Sequence, residues 1–287
     1  MTLVNKTYWV IISLFLPVIR TFTFASIAIG FPAKNSSERE ISLKSGNSIV
    51  EKIDKSKYEV WSDLMTLFSI EISNTITRNL KDTEPFKSTW GQREKEYIRV
   101  AKKYNEKERK RIIPQMFALI VLELEKNPDQ DLLGSIYMSL EISSKNKGQF
   151  FTPYNICKLM SDVTIDKKTL SKAVKEKGYA VLNDCAIGGG ATLISAVNKS
   201  KDLFRKLNYQ NHIMIVGQDI DITCVRMAYI QLSLLGVAGY IKHSNTITNP
   251  ENDFVEENNV FWITPITFND IWQTRIFFRG GYSRFFR

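Results

Sequence analysis

Leu182-Asn183-Asp184-Cys185-Ala186-Ile187-Gly188-Gly189-Gly190-Ala191 is the stretch that decides the fold. Tyr179 to Leu182 reads as a short apolar strand, and Ala191 to Val197 as the start of a helix. Three glycines therefore occupy a strand-to-helix turn. Glycine there permits positive φ and lets the backbone come close to a ligand. In dinucleotide enzymes such a turn holds pyrophosphate at a helix N-terminus. Here the spacing is not G-x-G-x-x-G, and Asp184 precedes the glycines. A carboxylate repels phosphate and suits an ammonium group. The residues therefore point to S-adenosylmethionine rather than to a nucleotide phosphate; the bland alternative is a tight glycine turn without a ligand.

Downstream, Ile213 to Val216 reads as a second strand and Thr223 to Leu235 as a helix. Tyr240-Ile241 and Val260 to Ile263 read as two more strands. Strand alternating with helix predicts a parallel, doubly wound α/β sheet. Asp219 ends the second strand, where an acid can accept hydrogen bonds from two ribose hydroxyls. Asp221 is its rival, although a helix N-cap suits Asp221 better. Asn245 follows the third strand; its amide offers both donor and acceptor to an adenine edge, or it is a turn residue. Upstream lies Gly148-Gln149-Phe150-Phe151-Thr152-Pro153, whose aromatics either pack on the cofactor or belong to the core.

These motifs, in this order, resemble the adenine-N6 DNA methyltransferases, in particular the modification subunit of type I restriction-modification systems. Gly148 to Pro153 is similar to that family's G-Q-F-F/Y-T-P motif, which implies that Phe150, Phe151, Thr152 and Pro153 close the methionine end of the pocket. Asp184 to Leu193 resembles its D-P-A-C-G-S-G-G-F-L loop, which adds Gly188 and Gly190 to Asp184 as cofactor-binding positions. Asp219 matches the ribose-binding acid. Asn245 stands where an aspartate usually contacts adenine. The resemblance covers roughly residues 50 to 268. It implies a Rossmann-like class I methyltransferase sheet, here incomplete, preceded by a helical N-terminal region. The implied activity is methylation of adenine N6 in double-stranded DNA, with S-adenosylmethionine as donor, no metal, and a separate specificity subunit that recognises the target.

The chain also departs from the family. Cys185 and Ile187 replace a proline and a cysteine in the loop. The catalytic tetrapeptide Asn/Asp-Pro-Pro-Tyr/Phe is missing; in the family it holds the adenine amino group and stacks on the flipped base. Asn249-Pro250-Glu251-Asn252 follows Asn245 too soon to replace it. Thr264-Pro265-Ile266-Thr267 ends the fourth apolar run, so Thr264 and Pro265 are the degenerate catalytic candidates, with Phe268 as a substitute stacking platform. A chain that binds cofactor and DNA without catalysing transfer is the alternative reading.

Composition agrees with a polyanion partner. The 287 residues carry a formal net charge of +9, which favours nucleic acid or an anionic surface. Six basic residues crowd into Ala101 to Arg111, either a solvated helix face or a phosphate contact. Trp272 to Arg287 interleaves arginine with aromatics, which suits single-stranded nucleic acid or a disordered tail. Three spaced cysteines make no disulfide framework, so a reducing cytoplasm is expected. Two histidines, His212 and His243, do not supply a histidine-based metal centre or triad.

The chain divides by pattern into an apolar extension and linker at 1–47, a helical domain at 48–147, and the methyltransferase domain with its basic aromatic tail at 148–287. Helices are expected from Ile49 through Ile72, over Arg93 to Tyr104, over Arg109 to Lys126 and over Asp131 to Ile142, with a break from Asp82 to Gly91. Thr7 to Ile19 is an uncharged run of 13 residues, against roughly 20 needed to span a bilayer. Membrane contact through residues 7–33 is not expected.

Overall fold

The computed structural model describes residues 56–82, 86–140, 151–204, 207–249, 261–279 and 281. The apolar extension, the linker, and Gly148 to Phe150 lie outside the described residues, as does the expected domain border at 147/148.

Among the described residues the first four α-helices are α1 (Lys57–Thr77), α2 (Phe86–Ala101), α3 (Ile113–Lys126) and α4 (Leu132–Ser139). Ser56 caps α1 by accepting from the Glu59 amide, and Asp131 caps α4 by accepting from Gly134. Pro114 sits in the first turn of α3, where no intrahelical N–H is needed. The expected break around Gly91 is shorter than its composition indicates: α2 runs straight through Gly91, because Trp90 anchors it by donating to the Asn74 carbonyl of α1.

Two further helices follow, α5 (Tyr154–Thr164) and α6 (Lys167–Lys177). Gly178 ends α6 with φ +83, the left-handed cap that lets the chain turn into the sheet. The sheet is built from β1 (Ala180–Asp184), α7 (Ala191–Leu203), α8 (Tyr209–His212), β2 (Ile213–Asp219), α9 (Ile222–Leu234), β3 (Ala238–His243), β4 (Phe261–Ile263) and α10 (Asp270–Phe278). Strand order is β1-β2-β3-β4. The first three strands are parallel, with Asp184 opposite Gly217 and Asp219 opposite His243. β4 departs from the expected parallel arrangement. It lies antiparallel to β3, with Tyr240 opposite Ile263 and Lys242 opposite Phe261.

Alternation along β2 supplies two cores. Ile213 and Ile215 join α1, α7 and α9 on one face, while Met214 and Val216 join Trp272 and Ile276 of α10 on the other. α9 is buried all round, as a helix between a sheet and a second helix must be. Its aliphatic side chains contribute about 1.5–3 kcal/mol each by leaving water. Helical region and sheet thus share one continuous apolar core.

In the arginine- and aromatic-rich stretch, Trp272 to Arg279 is built into the fold, and residues 282–287 lie outside the described residues. Trp272 is buried and donates to the Gln210 carbonyl. Arg275 stacks over Trp272 at 4.6 Å and binds the Gly178 and Asn211 carbonyls, so it faces protein and not nucleic acid. Among the described residues no helix is long and apolar enough to cross a membrane.

Candidate functional site

The carboxyl ends of β1, β2 and β3 carry three loops, the place where open α/β sheets bind ligands. The loop after β1 is held by Asp184. One carboxylate oxygen accepts from the Ala186 amide at 3.0 Å, and the other accepts from the Thr192 hydroxyl in the first turn of α7. Gly188 and Gly190 have φ of +53 and +99, a region hostile to side chains. Space for a side chain is tight as well. A Cβ on Gly190 would lie 3.3 Å from the Ala228 backbone, and one on Gly188 3.3 Å from the Phe151 ring. Ile187 is buried against Gly217, where any Cβ would come within 2.4 Å of it; this accounts for an aliphatic residue at a family cysteine position.

Asp219 locks the second loop to the first. Its Oδ2 accepts from the Gly188 amide and its Oδ1 from the Asp221 amide, both at 2.9 Å. Each oxygen keeps a lone pair. Burial pushes its carboxyl above the usual range, against the stabilising pull of the Asp221 and Gly188 amides. Asp221 caps α9 by accepting from the Thr223 amide at 2.8 Å. Between the two acids, Ile220 is 66% exposed, an apolar surface that a flat base could cover.

Asn245 holds the third loop. Its Oδ1 accepts from the Ile247 amide at 2.9 Å, so the side chain serves a turn while its Nδ2 keeps its donors. Thr246 ties this loop to the first by donating to the Cys185 carbonyl at 2.5 Å. Asp184, Gly188, Gly190, Asp219 and Asn245 are therefore brought to one edge of the sheet.

Phe151 joins them from the helical side. It lies over Gly188 and packs on Tyr137 of α4, with ring centroids 5.3 Å apart. Thr152 and Pro153 follow at the surface, and the Pro153 carbonyl starts α5. Phe150 falls outside the described residues. Behind the motif, burial drives the Cys157 thiol up to about 11.

The catalytic candidates are not in this group. Because β4 is antiparallel, Thr264 leaves it beside Gly239, at the amino end of β3, where its amide donates to the Gly239 carbonyl. That is four residues from His243 along the strand, roughly 13 Å from the loop edge. Thr264 and Pro265 are buried, and Phe268 packs on Phe86 at 5.7 Å. A strand reversed in direction carries its end to the other side of the sheet, so Thr264, Pro265 and Phe268 are not brought to the edge that holds the three loops.

Two side chains escaped the sequence reading. Gln231 of α9 and Asp131 of α4 bond to each other at 2.8 Å beneath the glycine loop. A polar residue set between Ile230 and Leu232 was the available signal for Gln231, since a buried amide needs partners.

Among the described residues no cluster of His, Cys, Asp and Glu could hold a metal. The donor set fits a methionine-bearing nucleoside: Asp184 for an ammonium, Asp219 for a ribose diol, Ile220 for a base, with a glycine cradle between them. A family model described as N-6 DNA Methylase matches residues 128–282. No curated protein matches the chain.

Proposed function

Because the chain belongs to the N-6 DNA methylase family, we propose that it binds S-adenosylmethionine at the β1–β3 edge and methylates adenine N6 in double-stranded DNA. A separate specificity subunit selects the site, in a cytoplasmic restriction-modification assembly. The observation that carries this is the Asp184–Gly188–Asp219 lock with Phe151 laid over it. Asp219 accepts the ribose hydroxyls with its remaining lone pairs, and Asp184 faces the methionine ammonium. Phe150, Phe151, Thr152 and Pro153 close the methionine end and exclude water. Gly188 and Gly190 keep the backbone low enough for the ligand to lie on it, and the Asn245 amide meets the adenine edge. The bound cofactor supplies an electrophilic methyl group on a sulfonium.

Calorimetric titration of S-adenosylmethionine tests this directly. Wild type is expected to bind, and Asp219→Ala to bind at least about tenfold more weakly, since hydrogen bonds to a charged group are worth about 1.5–3 kcal/mol. Transfer of labelled methyl groups to adenine in duplex DNA follows. Wild type that neither binds nor labels would sink the proposal.

The direction of β4 favours a second reading, a cofactor- and DNA-binding subunit that does not itself catalyse. Methyl transfer by this chain alone, abolished in Asp219→Ala, excludes it.

A further inference from the structure

We propose that Gln231, working with Asp131, is a positioning residue that presets the glycine loop for the methyl donor and couples that loop to the helical region. The inference rests on the cofactor reading above. Gln231 is 0% exposed and stands in the last turn of α9, buried away from water. Its Nε2 donates to Asp131 Oδ1 and to the Gly189 carbonyl, both at 2.8 Å. Its Oε1 accepts from the Leu133 amide at 3.0 Å. Both amide hydrogens are thereby used, and one side chain ties together α9, the loop and the first turn of α4.

The loop needs such a tie. Gly188 and Gly190 both sit at positive φ, and a glycine run left to itself samples many backbone states. Asp219 fixes the peptide entering Gly188. Gln231 fixes the peptide leaving Gly189, by holding its carbonyl inward. The Gly190 amide then donates to the Ile187 carbonyl at 2.9 Å. Asp131 backs the arrangement sterically, since a Cβ on Gly189 would lie 3.4 Å from Asp131 Oδ1 and 3.5 Å from Gly134 Cα. An apolar side chain of the same size would fill the volume without the cost of burying an amide. What it cannot do is hold the Gly189 carbonyl. A loop already ordered in its binding shape loses less entropy on binding.

The test has two arms. Gln231→Leu and Gln231→Glu keep the size and remove the donors. Each is titrated with S-adenosylmethionine well below its melting temperature. Either variant that folds is expected to bind at least about tenfold more weakly than wild type, an effect that a purely structural role, seen only in the melting temperature, would not produce. Amide hydrogen exchange on wild type needs no variant. Saturating S-adenosylmethionine is expected to slow exchange at Leu133 and Gly134, which the ligand does not touch, because the tie transmits the ordering. A folded variant that binds within about twofold of wild type overturns the inference, as do Leu133 and Gly134 amides that exchange equally fast with and without ligand. Wild type that binds no cofactor overturns the underlying cofactor reading instead, and the inference falls with it.

Discussion

Asp131 is 6% exposed, and burial raises its carboxyl above the usual range against the pull of the Gln231 and Gly134 donors. The folded chain therefore holds this proton more tightly than the unfolded one. The stability it contributes is complete below the unfolded pKa and is lost as pH rises through the folded value. Melting temperature is expected to fall as pH is raised from the ordinary aspartate range towards neutrality. Asp131→Asn, which keeps an oxygen for the cap, is expected to flatten that part of the slope. Parallel slopes for the two proteins would show that Asp131 does not titrate this way. That Asp184, Gly188, Gly190 and Asp219 gather at one edge was legible in the sequence because each lies just beyond a short apolar strand, in a residue type that packing alone does not demand. Asn245 was legible only as a choice between a turn and an adenine contact, and its amide divides along that line, with oxygen in the turn and nitrogen available. Gln231 was marked only by its place between Ile230 and Leu232, which does not tell what partners a buried amide finds.

At the scale of elements, α2 is held across α9 and β4 by a group of buried charges. Arg93 lies 3.9 Å over the Trp262 ring and donates to Ser73 Oγ and to the Phe261 carbonyl, each at 2.6 Å. Burial lowers it to about 10. Arg226 also faces Trp262 and pairs with both oxygens of Glu96 at 2.9 Å. Glu96, 28% exposed on its side chain, pairs with Arg226 directly and acts on Arg93 only weakly, through its charge. Glu96→Ala is expected to cost about 3 kcal/mol, because it strands buried positive charge. Urea unfolding measures it, and a change under about 0.5 kcal/mol, the size of an ordinary surface substitution, would mean that the cluster is hydrated. Helices with one apolar face, such as α1, were readable from spacing. α6 was not, because it buries only Leu170 among its lysines. The direction of β4 was not readable either, since a three-residue apolar run looks the same in both orientations. That single ambiguity is why the separation of Thr264 and Pro265 from the loop edge could not be foreseen.

For the whole molecule, charge and family agree. The excess of +9 includes Lys167, Lys168, Lys172, Lys175 and Lys177, all exposed on α6. Duplex DNA binding, followed by fluorescence anisotropy, is expected to weaken with salt at a log–log slope of about −4 or steeper, the signature of four or more neutralised phosphates. Affinity indifferent to salt would remove the polyanion argument. That helices precede the strands was legible in the sequence. Their common core was not, because each half shows an apolar face without showing what that face meets.

The tie between Arg93 and the Phe261 carbonyl spans 168 positions of the chain. A ribosome adding roughly 5–20 residues per second needs on the order of ten to thirty seconds to cover that distance. Throughout that interval the helical segments have been synthesised, while the strand that closes over Arg93 has not. Leu133 likewise waits for Gln231, 98 positions later. The half of the protein synthesised first thus waits for the later half, and until α9 emerges a chaperone would find much of the apolar face of α1 uncovered.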